Sequence, residues 1–262
     1  MDLTANKADK GAPTSKIIRL DLAYEGTEFC GWQVQVHQRS VQGVLEEAIY
    51  ATTGERLRVR GCSRTDAGVH ARGYVASFIS RTTIPSERLV YPLNQHLPRD
   101  VRIHRSSEAA PGFDARRCAA GKTYSYTFST AAQEPVLGRQ LIAWERGSLD
   151  EARMQEACVL YQGTHDFRAF RSQGSSVVGT VRTLHEVRLE REGDLWRFWV
   201  TGNGFLYNMV RILVGTLFEV GHHTKTLADV RAALAGGDRL RAGRVAKPEG
   251  LILERVYYEN QW

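Results

Sequence analysis

The stretch from Phe205 to Val220 (FLYNMVRILVGTLFEV) constrains the fold more than any other part of this chain. Its apolar residues are not confined to one helical stripe, and a helix that is apolar nearly all round has to be buried on most sides or lie in lipid. A bilayer span needs ~20 apolar residues. This run is shorter and carries Asn208, Arg211 and Glu219, so it reads as a buried core helix. Other layers must cover it, and a chain of 262 residues that is 42% hydrophobic can supply them.

Those layers are legible as alternating periods. Ile18, Leu20, Leu22 and Tyr24 alternate with Arg19, Asp21 and Ala23, the pattern of a strand with one buried face. Ser40 caps a helix whose apolar positions are Val41, Val44, Leu45, Ala48 and Ile49. Strands are expected over Leu57–Arg60, Tyr74–Ser80 and Val101–Ala110, with a helix over Ser86–His96. The second half repeats the rhythm, with strands over Thr123–Ser129, Leu141–Glu145, Thr183–Glu190, Leu195–Thr201 and Leu251–Tyr258. A helix to Tyr161 opens on a capping box of Ser148 and Glu151, and a shorter helix covers Thr226–Leu234. Runs of consecutive strands favour an α+β fold: two fused halves sharing a mostly antiparallel central sheet, with helices packed on one side and a cleft between the halves. The expected division is a disordered tail over 1–15, an N-terminal half over 16–115 and a C-terminal half over 116–262. The tail has no apolar run, so it is no secretory signal.

Cys30, Cys62, Cys118 and Cys158 form no C-x-x-C pair and have no histidine cluster beside them, which disfavours both a zinc site and a disulfide framework. Free thiols in a reducing cytoplasm are the simpler reading. The net charge of +6 suits a polyanionic partner without specifying one.

Three segments carry candidate chemistry. Asp66 lies in Cys62-Ser63-Arg64-Thr65-Asp66-Ala67-Gly68-Val69-His70-Ala71, between two expected strands, where a loop is held firmly enough for catalysis. The same pattern fits an ordinary surface turn. Arg211 sits in the apolar helix, where a guanidinium either reaches water or finds a carboxylate. Tyr124 and Tyr126 share a strand face, as core residues or as a stacking platform for a base. Arg116, Arg117 and Lys122 add positive charge nearby, and Arg239, Arg241 and Arg244 supply more toward the C-terminus.

Taken in order, Tyr24-Glu25-Gly26-Thr27, Gly31-Trp32-Gln33, Arg64 to His70, Phe113-Asp114-Ala115-Arg116, Tyr124-Ser125-Tyr126, Phe205 to Arg211 and Pro248-Glu249-Gly250-Leu251 resemble the tRNA pseudouridine synthase A family, from about Ile17 to Tyr258. The resemblance implies an isomerase that converts uridine to pseudouridine at positions 38, 39 and 40 of the tRNA anticodon arm. It implies Asp66 as the catalytic residue, Arg64 as the residue that takes the place of a flipped base, and Tyr124 as the residue stacked on the target uracil. Arg211 would pair with Asp66, and Leu251 would line the uracil pocket. It further implies a homodimer that needs neither an organic cofactor nor a metal. Ser63, Glu249 and Ile252 depart from the family's usual residues and bear on substrate positioning. An Arg211 partner would be expected to depress the pKa of Asp66 and keep it ionised. Two rival readings remain: a non-catalytic RNA-binding module, and a hydrolase with an aspartate nucleophile, which would want a second carboxylate or a metal.

Overall fold

A computed structural model describes residues 14–174 and 179–259. Most of the expected tail over 1–15 therefore lies outside the described residues. The strands are β1 (Lys16–Tyr24), β2 (Arg60–Gly61), β3 (His70–Ser80), β4 (Val101–Glu108), β5 (Gly121–Ser129), β6 (Ala143–Trp144), β7 (Gly163–Asp166), β8 (Val181–Glu192), β9 (Leu195–Gly202) and β10 (Leu251–Tyr257). The helices are α1 (Val41–Thr53), α2 (Val90–His96), α3 (Glu151–Tyr161), α4 (Met209–Gly221) and α5 (Leu227–Leu234). All the strands join one sheet in the order β4-β1-β3-β10-β5-β9-β8-β7, with β2 added beside β3 and β6 beside β5.

The pairing is antiparallel except for β3 with β10 and β5 with β6. The last strand of the chain thus enters the middle of the sheet, between β3 and β5, through Ile252 opposite His70 and Leu253 opposite Ala71. Strands that precede residue 116 lie on one side of this parallel seam, and later strands lie on the other. The seam is also where the Asp66 loop enters β3 and where Leu251 opens β10.

Side-chain alternation sets the two faces of the sheet. Tyr124, Tyr126 and Phe128 of β5 stand opposite Val200, Phe198 and Trp196 of β9, and all six are buried. Phe218 of α4 packs edge-on against Tyr126 and Phe128, at 6.3 and 4.8 Å between ring centroids, so α4 covers this face. Eleven of the 13 residues of α4 are buried, and the two that are not are Arg211 and Glu219. Burial of side chains such as Ile212, Leu213 and Leu217 stabilises by roughly 1.5–3 kcal/mol each, which is why so apolar a sequence settles beneath other elements. On the opposite face no helix is needed at the centre, because the segment 109–120 crosses it. Ala115 N–H donates to Ser77 Oγ, Tyr258 Oη donates to the Ala115 carbonyl, and Arg19 stacks over the Phe113 and Tyr258 rings.

Several expectations shift. The helix expected over Ser86–His96 is a 3₁₀ turn at Ser86–Arg88 followed by α2, so Pro92 falls in a first turn, where its missing N–H costs nothing. The helix expected from Phe205 begins at Met209, after Asn208 adopts φ 59°. The Ser148–Glu151 capping box does not form. Asp150 caps α3 by accepting from Arg153 N–H at 3.1 Å, and a capping box appears instead at Thr226 and Asp229. The strands expected over Leu57–Arg60 and Leu141–Glu145 shrink to two-residue pairings, and β3 begins at His70, four residues ahead of Tyr74. Strand β7 had no counterpart in the sequence reading.

Candidate active site

The loop from Cys62 to Val69 is fixed from three sides by buried tyrosines. Tyr24 Oη shares a hydrogen bond with Thr65 Oγ1 at 2.7 Å, Tyr124 Oη shares one with Ser63 Oγ at 3.2 Å, and Tyr74 Oη donates to the Ser63 carbonyl. Trp32 N–H donates to the Thr65 carbonyl at 3.1 Å, and Gly68 N–H donates to the Phe29 carbonyl at 3.3 Å. Ser63, one of the departures from the family pattern, therefore anchors Tyr124. The segment Gly31-Trp32-Gln33 can lie this close only because residue 31 is glycine: its φ is +109°, and an added Cβ would sit 2.5 Å from the Thr65 carbonyl oxygen. Gly31→Ala is expected to cost more than about 2 kcal/mol in urea unfolding. Gly54→Ala, at φ +73° with open space around it, should cost only about 1 kcal/mol. Equal costs would show that Gly31 supplies conformational freedom alone.

The loop carries Asp66 into the lining of a cleft of about 910 Å³, whose lining also includes Arg64, Tyr124, Phe205 and Leu251. Arg211 approaches Asp66 from behind, with Nη1 3.4 Å from Oδ2, and the two side chains are 15% and 24% exposed. The guanidinium is itself held: Nε donates to the Ala246 carbonyl at 2.7 Å and Nη1 to Asn208 Oδ1 at 3.1 Å, while Ala246 N–H donates back to the Arg211 carbonyl. The segment bearing Ala246 is strapped onto α4 by Gly243 N–H to Thr216 Oγ1 and onto β5 by Tyr126 Oη to the Lys247 carbonyl. Tyr126 is thus a core residue that holds this strap.

The structure brings the five expected residues together, with distinct placements. Asp66, Tyr124 and Leu251 face the cleft, and the Tyr124 ring meets Phe205 edge-on at 5.0 Å. Arg64 is exposed between the cleft and an adjoining pocket of about 670 Å³ that Arg58, Arg116 and Arg117 also line. Arg211 takes the paired alternative rather than reaching bulk water. The sequence reading gave no site role to Asn208, Tyr24, Tyr74 or Phe205, and named Ser63 only as a departure that bears on substrate positioning. Only Asn208 left a signal, as a polar residue inside an apolar run.

Electrostatics correct one expectation. Burial raises the pKa of Asp66, and the charge and hydrogen bond of Arg211 oppose that rise without cancelling it. The carboxyl therefore titrates above the usual aspartate range, not below it. Burial also pushes the Tyr124 phenol up, so it is neutral at pH 7, and it moves the neighbouring Cys62 thiol up to about 11. Among the described residues, no three His, Cys, Asp or Glu side chains cluster as metal ligands, and no helix is long and apolar enough to cross a membrane. A carboxyl of raised pKa beside a fixed guanidinium, in a cleft that Arg64, Arg116, Lys122, Tyr124 and Phe205 also line, has the marks of a functional site.

Comparison with known proteins identifies the family. The chain belongs to the family described as tRNA pseudouridine synthase, whose profile matches residues 22–116 and 157–259. It is 44% identical over 241 residues to the tRNA pseudouridine synthase A of Clostridium botulinum (strain Eklund 17B / Type B), covering 92% of this chain and 99% of that one. It is 42% identical over 245 residues to the protein of the same name from Geobacillus kaustophilus, covering 93% and 95%. It also covers about half (49%) of a solved chain in an archaeal box H/ACA sRNP Nop10-Cbf5 complex, with 93% of its own length, 13% identity and a TM-score of 0.40. The family places the chain among the isomerases.

Proposed function

We propose that this enzyme isomerises uridine to pseudouridine in the anticodon arm of tRNA, at positions 38, 39 and 40, with Asp66 as the catalytic carboxylate. The observation that carries the reading is the pairing of Arg211 with Asp66, which lines the same cleft as Tyr124 and Leu251. The reaction breaks the N1–C1′ bond, turns the uracil and forms a C5–C1′ bond; the C5 proton leaves to solvent and N1 gains one. The base must first leave its stack, at a cost of a few kcal/mol. Arg64, exposed and without a side-chain partner among the described residues, fills the vacated space. Tyr124 offers its ring to the uracil, Leu251 closes the apolar wall, and Arg211 holds Asp66 in place and favours its charged form. The enzyme works as a cytoplasmic homodimer and uses neither an organic cofactor nor a metal.

Release of tritium from C5-labelled uridine in tRNA tests the reaction. Stoichiometric release with the label's uracil retained in the RNA supports it. Free uracil would indicate a hydrolase, and binding without release would indicate a non-catalytic RNA-binding module.

Phosphate contacts should make affinity fall with salt, by about 0.7–0.9 log units per contact for each log unit of salt. We assign these contacts to the arginines that are not already engaged within the protein. Arg241 is paired with Asp229, Arg244 with Glu145, and Arg239 donates to the Ala242 and Gly243 carbonyls. The side chains of Arg64, Arg116 and Arg117 have no acidic partner among the described residues, and these residues line the pockets. Replacing those three with glutamine is expected to flatten the slope for tRNA by roughly two to three units. Arg241→Gln should leave it unchanged. A triple variant with the wild-type slope would show that the RNA backbone runs elsewhere.

A further inference from the structure

We propose that Lys122 and Arg116 form an anion subsite inside the cleft that receives a phosphodiester group adjoining the target uridine. The proposal rests on the tRNA reading above and adds to it a residue and a contact.

Lys122 lies two positions before Tyr124 on β5, so both side chains project from the same face, ~7 Å apart along the strand. It lines the cleft together with Asp66, Tyr124 and Arg116. The residue is half-buried, and its ammonium makes no hydrogen bond or ion pair with any described residue. An ammonium is costly to remove from water without a partner, so a lysine held this way is poised for one that arrives with the substrate.

The surrounding charges specify that partner. Asp66 is the only carboxylate among the described residues that line the cleft, and Arg211 already engages it. Asp114, beside Arg116, is committed to Arg60 and to the backbone N–H groups of residues 116 and 117. Arg182 adds a further positive charge from β8. Burial lowers the pKa of Lys122; Cys62 opposes that shift, and the charges of Arg116 and Arg182, each a smaller effect than that of Cys62, lower it further. Cations that repel one another across a desolvated site are relieved by an anion, not by a neutral carbonyl. RNA presents one anion per nucleotide. With the Tyr124 ring as the platform for the base, an ammonium one strand repeat away meets the backbone of the same nucleotide and not its uracil.

The test uses anticodon stem-loops in which single phosphates are replaced by neutral methylphosphonates. Lys122→Met is expected to bind the unmodified stem-loop about tenfold or more weakly than wild type, as for loss of one charge-assisted hydrogen bond. When the methylphosphonate adjoins the target uridine, wild type and variant should bind alike, and at other positions the full difference should persist. A difference that persists with every methylphosphonate would overturn the proposal. Lys122→Met loses an unpaired, half-buried charge, so its unfolding temperature should not fall. A second arm needs no RNA. Inorganic pyrophosphate should slow the acetylation of Lys122 by acetic anhydride, followed by mass spectrometry, and Arg116→Gln should remove that protection. Labelling indifferent to pyrophosphate counts against the subsite. A wild-type chain that shows both the phosphate-specific loss and the protection but releases no tritium from C5 supports the subsite and sinks the synthase reading instead.

Discussion

Asp66→Asn enzyme will fold, bind tRNA and form pseudouridine more than ~10³-fold more slowly than wild type. Asparagine keeps the shape of the side chain, and its oxygen can still accept from Arg211 Nη1, which now lies 3.4 Å from Oδ2. What it lacks is the negative charge that attacks the sugar or base or takes up a proton. Binding should hold or improve slightly, because one negative charge is removed from a cleft that meets phosphates. Stability gives an independent reading. The folded pKa of Asp66 lies above its unfolded value, so the stability its carboxyl contributes is complete below the unfolded pKa and lost as pH rises through the folded one. Asparagine mimics the protonated acid. At neutral pH the variant should therefore unfold at a temperature no lower than wild type, and any advantage should vanish as pH falls through the folded pKa. Near wild-type turnover in tritium release would remove Asp66 from the mechanism.

The sequence made this residue legible because the loop's chemistry is local: Arg64, Thr65, Asp66 and Gly68 are adjacent, and strands on both sides were apparent from alternation. The Arg211 partnership was legible as a requirement, since an arginine between Val210 and Ile212 must resolve its charge. The direction of the Asp66 pKa was not legible. Burial decides it, and the holds that fix the Asp66 loop and Arg211 in place, from Tyr24, Tyr74, Tyr124 and the strap around Ala246, are ones that only the fold assembles. Those holds run through backbone carbonyls such as Ala246 and Ser63, which no side-chain pattern announces. The cap of α3 failed for a related reason. Ser148 and Asp150 are both good N-caps, and the choice falls to Asp150, whose N–H bonds to the Gly221 carbonyl at the far end of α4. Asn208 stood out as a polar residue in an apolar run, but its role was not legible, because it depends on φ 59°, with the amide not capping α4 and instead bridging Arg211 and Ser172.

Arg211→Leu should be the most disruptive single change to stability, and it should cost activity as well. Arg211 supplies the two effects that oppose the burial-driven rise in the Asp66 pKa, its charge and its hydrogen bond. Without them the carboxyl titrates still higher, and the acid limb of the pH–rate profile moves to higher pH while the rate at neutral pH drops by at least ~10²-fold. The Ala246 carbonyl and Asn208 Oδ1 lose their donor as well. One-sided removal from a buried pair costs roughly 3–5 kcal/mol, and partial solvent access to both side chains places this pair near the lower figure. The sign with pH follows from linkage. With the folded pKa raised further, the variant is least stable above that value, where Asp66 is ionised without a partner, and it recovers as acid protonates the carboxyl. The double variant Asp66→Asn/Arg211→Leu removes the stranded charge and should regain stability at neutral pH without regaining activity. Urea unfolding of the four proteins at neutral and acid pH closes the cycle. Additive losses would mean that the 3.4 Å contact contributes no coupling, and that Arg211 acts on the site only through the strap it anchors.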